Sequence, residues 1–323
     1  MNITRRRWVA GIPALLPFAA AAQTSSAQRL SPPVGKVEAI LDTDTYNEID
    51  DQFAVAYAIR SSDRIDLKAV YAAPYLNERS TSAGDGMRKS YDEILRILER
   101  LKTPSDKFAY RGSDRFMAGS DKPVDSAAAQ DLVRKAMMPR EQPLYVIAIG
   151  APTNVSSALL MEPKIRDRIV VVWLGGQPFD WPTASEFNLK QDVYASQLLY
   201  DSGVALVNVP AKNVSEHLRT TVLELQHFLK GKSPIADYLH AEFVKYAEHD
   251  SPSVGYAYSK VIWDISAVAW LVNPKWVPTK VVPSPVLTQD LKYRAKAGRH
   301  SVAVATDVDR DAVFNDLFRK LTR

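Results

Sequence analysis

Carboxylates are concentrated in one short stretch near the start of the chain, residues 42–51. Five of its ten residues are acidic: Asp42, Asp44, Glu48, Asp50 and Asp51. The stretch follows the apolar run 37–41, which predicts a short strand, so the carboxylates begin where that strand ends. Crowded carboxylates repel each other unless a cation neutralises them, and a hard cation with oxygen ligands is the natural partner. An irregular carboxylate cage suits Ca²⁺ better than Mg²⁺.

The same residues also have a simpler explanation. Asp50 and Asp51 precede a predicted helix, where negative charge interacts favourably with the helix dipole, and Asp42 or Asp44 could be a turn residue. The position of the whole cluster favours a functional site, because ligands bind at the carboxyl ends of the strands in open α/β sheets.

The elements that must position this cluster alternate between strands and helices. Short β-branched runs predict strands buried on both faces, as in parallel sheets, and amphipathic spacing predicts helices between them. The predicted strands are 37–41, 67–73, 144–149, 169–174 and 204–209, and the predicted helices are 52–59, 87–101, 154–160 and 193–200. This alternation predicts an α/β fold with an open, mostly parallel sheet, flanking helices and right-handed crossovers.

The pattern changes beyond Asn213. Helices are predicted at 218–247, 261–271 and 311–321, and late strands at 279–287 and 301–305. No internal repeat or low-complexity linker divides the chain. We therefore predict one domain, residues 28–323, with a helical cap region.

Residues 1–27 have the composition of an export signal. Arg5, Arg6 and Arg7 precede the apolar stretch 8–22, and a small polar segment after it offers a cleavage site at 25–27. The adjacent arginines resemble the twin-arginine class of signals. We therefore predict an exported protein, periplasmic or extracellular, with no stable membrane association after removal of the signal.

Composition excludes several classes of site. The 323 residues include no cysteine, which excludes disulfides, thiolate metal sites and a cysteine nucleophile. Residues 1–27 carry three arginines and no acidic residue, so their removal lowers the net charge from +4 to +1 and leaves no electrostatic case for binding nucleic acid. A Gly-x-Ser-x-Gly motif does not occur, which argues against a Ser-His-Asp hydrolase.

The acidic stretch resembles the signature of nucleoside hydrolases, in which Asp-x-Asp, a short turn and Asp-Asp follow the first strand. Three later segments occur in the correct order and support the resemblance, which extends over most of the chain after the signal. They are 149–154, similar to a Gly-x-x-Thr-Asn segment, 186–188 with Asp192, similar to a Glu-Phe-Asn segment, and Trp263-Asp264 at the start of a predicted helix.

The resemblance implies a Rossmann-like core, a homo-oligomer, one Ca²⁺ ion and hydrolysis of the N-glycosidic bond of a riboside to ribose and a base. Asp44 would bind the metal and act as general base on the attacking water. Asp51 and Asp264 would be further ligands, and Thr153 would contribute its backbone carbonyl. Asp42 would support these ligands from outside.

The substrate side follows from the same resemblance. Asp50 would hold the ribose with help from Glu186 and Asn188. Asn77, after the second strand, would serve where the family has a ribose-contacting asparagine. Carboxylates near the sugar ring would stabilise the positive charge of an oxocarbenium-like transition state.

The chain departs from the family pattern in the turn and at the leaving-group side. Residues 45–49 separate Asp44 from Asp50 where the usual turn has three residues, so Asn47-Glu48 is interpreted as an insertion. Trp263 stands where many relatives have a histidine that protonates the departing base, and tryptophan cannot supply a proton in this way. The candidates for another acid are His217, His249, Tyr256 and Tyr258.

A second departure concerns recognition of the base. Asp180 and Trp181 stand where relatives carry an asparagine, and Trp181, in a loop beside proline, is the best candidate to stack on a base. Trp173, Tyr256, Tyr258 and Trp263 are the other aromatic candidates, although core packing explains most of them equally well.

Two other functions are compatible with parts of the sequence. A phosphatase of the haloacid dehalogenase type also begins with a strand and Asp-x-Asp, but Tyr46 stands where that family has threonine or valine. A non-catalytic periplasmic binder of nucleosides or sugars on the same scaffold would explain the missing histidine. Phosphate release would indicate the first, and calcium binding without turnover the second.

Overall fold

Strands and helices alternate through most of the computed structural model, which describes residues 26–253 and 255–323. The strands are β1 (Val37–Thr43), β2 (Ile65–Ala72), β3 (Ala109–Arg111), β4 (Leu144–Ala148), β5 (Ile169–Leu174), β6 (Ala205–Val209), β7 (Arg219–Thr221), β8 (Ser259–Val261), β9 (Thr279–Pro283), β10 (Val286–Leu287), β11 (Tyr293–Arg294) and β12 (Ser301–Ala305). The helices are α1 (Ser26–Arg29), α2 (Asp50–Arg60), α3 (Ala83–Arg100), α4 (Ala127–Met137), α5 (Thr153–Met161), α6 (Phe187–Gln191), α7 (Val193–Asp201), α8 (Val222–Phe228), α9 (Pro234–Asp250), α10 (Ile265–Val272) and α11 (Arg310–Leu321).

Eight strands form the central sheet in the order β3-β2-β1-β4-β5-β6-β12-β9. All neighbours pair in parallel except β9, which runs antiparallel to β12 at one edge. The chain order reverses between β1 and β4, and this switch point leaves a crevice at the carboxyl ends of the two strands. The predicted open, mostly parallel α/β sheet is therefore confirmed.

Each face of the sheet supports a separate apolar core, because successive side chains of a strand point to opposite faces. Ala39 and Leu41 of β1 belong to the core beneath α2, α3, α9, α10 and α11, whereas Ile40 belongs to the core beneath α4, α5 and α7. Burial on both faces explains why the strand sequences are continuous apolar runs rather than alternating ones.

Several element predictions need correction. The structure divides 261–271 into the end of β8 and the helix α10, with Asp264 as the residue before that helix. It likewise divides 279–287 into β9 and β10 around Ser284 and Pro285, and it places β7 at the start of 218–247. β3 and α4 were not predicted. The region after Asn213 is nevertheless mainly helical, in α8, α9 and α10.

A buried ion pair joins the closing helix to α2. Lys320 is 2% exposed, and its Nζ lies 2.8 Å from Oδ2 of Asp316 and donates to Oγ of Ser61 at 3.1 Å. The hydroxyl of Tyr57 donates to the same Asp316 oxygen at 2.8 Å. These contacts hold the pKa of Asp316 below its usual value despite burial.

We expect the change Lys320→Met to lower the free energy of unfolding by about 3 kcal/mol, because it leaves a buried carboxylate without its main cation. Urea denaturation at pH 7 measures the effect. Arg319→Met is the matched control: Arg319 pairs with the same aspartate, but its side chain is 58% exposed, so its removal should cost less than about 1 kcal/mol. Equal losses in the two variants would contradict this role for Lys320.

The predicted export signal, residues 1–27, lies outside the described residues except for its last two. It therefore stays a prediction. Within 26–253 and 255–323, no helix combines the length and the apolar character needed to cross a bilayer.

Candidate active site and metal centre

A cavity of about 260 Å³ lies at the carboxyl edge of the central sheet. Its walls come from the segments that follow four neighbouring parallel strands, β1, β4, β5 and β6, and from the residues just before α10. The residues that line it are Asp44, Asn47, Glu48, Asp50, Asp51, Ile149, Leu174, Gln177, Glu186, Phe187, Asn188, Ala211, Lys212, Trp263 and Asp264. The acidic stretch after β1 and the late aspartate are thus brought to one site.

Three carboxylates of this cavity are arranged as a possible cation site. Asp50, Asp51 and Asp264 each place a carboxylate oxygen within 4.8 Å of the other two, and all three side chains are buried. Asp50 and Asp51 are the first two residues of α2, whereas Asp264 precedes α10, which packs against α2. The packing of two helices therefore brings together residues that are more than 200 positions apart in sequence.

Asp44 lines the same cavity and is 1% exposed. Both of its carboxylate oxygens are buried, and neither has a hydrogen-bond partner within the described part of the chain. Gly150 packs directly against it, since a Cβ at Gly150 would lie 3.2 Å from Cγ of Asp44. A buried carboxylate without donors is costly unless a positive charge or a proton compensates it.

Burial and mutual repulsion raise the pKa values of these groups. Burial is the largest cause for Asp44, Asp51 and Asp264, whose pKa values lie well above the usual range, and neighbouring carboxylates raise them further. Burial and Glu48 raise the pKa of Asp50 to about 6, although the ammonium of Lys260 opposes the shift. A cation bound among these groups would remove the repulsion.

Buried hydrogen bonds hold Asp51 and the neighbouring Asp42 in place. The hydroxyl of Thr43 donates to Oδ1 of Asp51 at 2.5 Å. Asp42 accepts from Nδ2 of Asn154 at 2.7 Å, while Oδ1 of Asn154 accepts from Ser113. Burial raises the pKa of Asp42 to about 7. Asp42 does not line the cavity, in keeping with its expected position outside it.

Glu186 and Asn188 line the same cavity, at the start of α6. Glu186 caps this helix: its oxygens accept the backbone N–H groups of Asn188 at 3.0 Å and Leu189 at 3.1 Å, and that of Gly176 at 2.8 Å. Nδ2 of Asn188 donates to the carbonyls of Ile149 at 3.1 Å and of Leu174 at 3.0 Å. These bonds connect the ends of β4 and β5 and hold both side chains in place.

Two residues predicted to belong to the site do not line the cavity. Thr153 begins α5, and its hydroxyl donates to Oδ2 of Asp192 at 2.7 Å. Asn77 donates from Nδ2 to Oδ1 of Asn47 at 2.7 Å. Asn77 thus contacts the cavity through the inserted Asn47, and the predicted roles of both residues stay predictions.

The pair Asn47-Glu48, interpreted from the sequence as an insertion, forms part of the cavity wall. Arg79 donates to the carbonyls of both residues, at 3.4 and 3.3 Å, and Glu48 forms an ion pair with Lys260 of β8. Burial lowers the pKa of Lys260, but the charges of Asp50 and Glu48 raise it by more, so the net shift is upward. Arg79 and Lys260 were not predicted from the sequence, because neither belongs to a recognised motif.

The other candidates lie elsewhere. None of the histidines and none of the tyrosines is among the described residues that line the cavity, and Trp181 is also absent from its walls. Trp173 is buried in the core and donates to the carbonyl of Gly150, while Tyr258 donates to Asp250. The side chain of Tyr256 is outside what the structure describes. Trp263 is the predicted aromatic candidate that reaches the cavity.

A larger cavity, of about 680 Å³, lies beside β9 and β12. Among the described residues that line it, Asp180 is the single carboxylate, and Lys280, Arg294 and Lys296 are basic. None of the acidic cluster lines this cavity. The smaller cavity therefore holds the groups that can bind a cation and accept a proton.

Comparison with known proteins agrees with this geometry. Residues 39–315 match the family described as inosine-uridine preferring nucleoside hydrolase. The chain is 24% identical over 298 residues to the pyrimidine-specific ribonucleoside hydrolase RihA of Salmonella paratyphi A, and the alignment covers 80% of this chain and 94% of that protein. RihA of Klebsiella pneumoniae is 23% identical over 296 residues with the same coverage.

Solved structures show the same fold at lower identity. A plant nucleoside hydrolase matches with a TM-score of 0.67 and 20% identity, covering 88% of this chain and 99% of that one. An inosine-uridine preferring nucleoside hydrolase from Bacillus anthracis matches with a TM-score of 0.66 and 15% identity, covering 89% and 99%.

The fold and the cavity define an α/β protein whose site is built from carboxylates at the carboxyl edge of a parallel sheet. The chain belongs to the inosine-uridine preferring nucleoside hydrolase family, a family of nucleoside N-ribohydrolases. The resemblance recognised in the four sequence motifs is confirmed, and this match argues against the phosphatase interpretation.

Proposed function

We propose that the protein is a calcium-dependent hydrolase that cleaves the N-glycosidic bond of a ribonucleoside or related riboside and releases ribose and a base. The observation that carries this proposal is the set of four buried carboxylates, Asp44, Asp50, Asp51 and Asp264, that line one small cavity. Membership of the nucleoside hydrolase family supports the reaction class.

The donor set fits a hard divalent cation. The unpartnered oxygens of Asp44 and the close oxygens of Asp50, Asp51 and Asp264 are the kind of ligands that Ca²⁺ accepts in irregular arrangements. We assign the ion to Asp44, Asp51 and Asp264, with the carbonyl of Thr153 as a further ligand. When bound, Ca²⁺ would make a water molecule more acidic and orient the hydroxyls of the ribose.

The side chains of the cavity supply the remaining steps. Asp44 takes the proton from the attacking water, because its carboxylate is free of competing donors. Asp50, Glu186 and Asn188 bind the ribose hydroxyls and hold the anomeric carbon opposite that water. The negative charge of the cluster stabilises the positive charge that develops on the sugar ring.

A panel of ribosides tests the proposal. Uridine, inosine and nicotinamide riboside are incubated with the full chain in the presence of Ca²⁺ or of a chelator, and free ribose and base are quantified by chromatography. We expect ribose and base in equal amounts from at least one riboside, and loss of both with chelator. Calcium binding without release of ribose from any riboside would overturn the proposal in favour of a binding protein.

A further inference from the structure

The leaving-group side of the cavity has an unusual composition for a hydrolase of N-glycosidic bonds. When the bond breaks, the electron pair goes to a nitrogen of the base, and an unprotonated base is a poor leaving group at neutral pH. Of the described residues that line the cavity, six are acidic, one is a lysine and none is a histidine or tyrosine.

The acidic residues are occupied with other contacts. Burial raises the pKa of Glu186, but both of its oxygens already accept backbone N–H groups in the cap of α6, and Glu48 pairs with Lys260. Asp44, Asp51 and Asp264 are assigned to the cation, and Asp50 to the ribose. Trp263 carries an indole N–H, which donates a hydrogen bond but does not transfer its proton. This leaves Lys212 as the residue able to give a proton to the base.

Lys212 is well placed for this role. It follows β6, and its backbone N–H donates to Oε1 of Gln177 at 3.2 Å. Its Nζ lies 3.0 Å from Oε2 of Glu216 and 5.9 Å from the ring centroid of Trp263, the residue next to Asp264. An ammonium has three N–H donors, so the bond to Glu216 leaves two others for a ligand. The side chain is 41% exposed, which gives its end room to reach a bound base.

We propose that Lys212 is the catalytic residue that contacts the leaving base and protonates it, a role that rests on the proposed function. As the bond between the anomeric carbon and the base nitrogen breaks, its electron pair takes a proton from Nζ of Lys212. The oxygen of water bonds to the anomeric carbon, and Asp44 takes the water's proton. The lysine then regains a proton from solvent and Asp44 releases one to solvent, so the cycle is balanced without another reactant. Glu216 positions the ammonium through its ion pair.

Substrates with different leaving groups test this role. p-Nitrophenyl β-D-ribofuranoside releases p-nitrophenolate, which needs no proton, whereas uridine and inosine release bases that do. The nucleoside used is whichever of uridine and inosine the wild type cleaves faster. For Lys212→Met we expect its kcat to fall about 100-fold or more. The kcat for the nitrophenyl riboside should change less than about threefold. A purely structural role would lower both rates together.

Lys190→Met is the matched control. The ammonium of Lys190 lies 5.8 Å from the ring centroid of Phe187, but Lys190 does not line the cavity, so both rates should match wild type. Equal losses on both kinds of substrate in Lys212→Met, or nucleoside turnover within threefold of wild type, would overturn the role of Lys212. If the wild type cleaved neither kind of substrate nor nicotinamide riboside, the proposed function itself would fail, and this role with it. Cleavage of nicotinamide riboside alone, whose base leaves without a proton, would keep the proposed function and overturn the role of Lys212.

Discussion

Asp44→Asn is expected to reduce the release of ribose by about 10⁴-fold or more, because the amide cannot take a proton from water and removes one charge that faces the cation. The same change should not harm the fold. Neither oxygen of Asp44 has a hydrogen-bond partner in the described structure, and its charge is repelled by Asp51 and Asp50. In the presence of a chelator we therefore expect the variant to melt at a higher temperature than wild type.

Initial rates of ribose release and thermal unfolding by circular dichroism measure the two effects. Asp42→Asn is the matched control, since Asp42 lies two residues before Asp44, at the end of β1, and is as deeply buried but does not line the cavity. Residues behind a metal ligand typically contribute about 10- to 100-fold. A rate in Asp44→Asn equal to that of Asp42→Asn would remove Asp44 from its role as general base.

Removal of the cation is expected to have the second large effect. With a chelator, ribose release should stop, and the melting temperature at pH 8 should fall by about 8 °C relative to protein in excess Ca²⁺. A ligand present at about 1,000 times its Kd raises the free energy of unfolding by about 4 kcal/mol. In a chain of this size, each kcal/mol shifts the melting temperature by about 2 °C, which gives the expected fall. Differential scanning calorimetry with Ca²⁺, Mg²⁺ or chelator measures it.

The loss on chelation should also depend on pH. The folded-state pKa values of the cluster are raised above 3.8, to about 6 for Asp50, so the folded protein without the cation binds more protons than the unfolded chain. The contribution of these groups to stability is therefore greatest in acid and falls as the pH rises through these pKa values. Ca²⁺ should then stabilise the protein more at pH 8 than at pH 5. A larger effect at pH 5, or none at either pH, would contradict a cation site among these carboxylates.

The central sheet was predictable because its strands are buried on both faces. β4 and β5 are continuous apolar runs, β1 and β6 are mostly apolar, and such runs can be identified directly in the sequence. β3 has only three residues and was missed, since so short a segment carries no pattern. The apolar run 261–271 hid the end of β8 and the start of α10, because hydrophobicity alone does not mark a turn within a buried segment.

The acidic part of the site was predictable for a different reason. Asp44, Asp50 and Asp51 are close in sequence, and Asp264 was located through a family motif, so the structure needed only to bring two helix starts together. Lys212 and Lys260 could not be found in this way. Each stands in an irregular or short segment without a motif, and its proximity to the cavity depends on the tertiary packing of β6 and β8.

The most direct test of the account follows oxygen from water into the product. The wild-type chain with Ca²⁺ is incubated with p-nitrophenyl β-D-ribofuranoside in ¹⁸O-labelled water, and the ribose is analysed by mass spectrometry at early times, against a blank without protein. We predict that p-nitrophenolate is released and that the new ribose carries one ¹⁸O atom at the anomeric carbon. Failure to release p-nitrophenolate, or release of ribose without label beyond the blank, would contradict attack by water at that carbon.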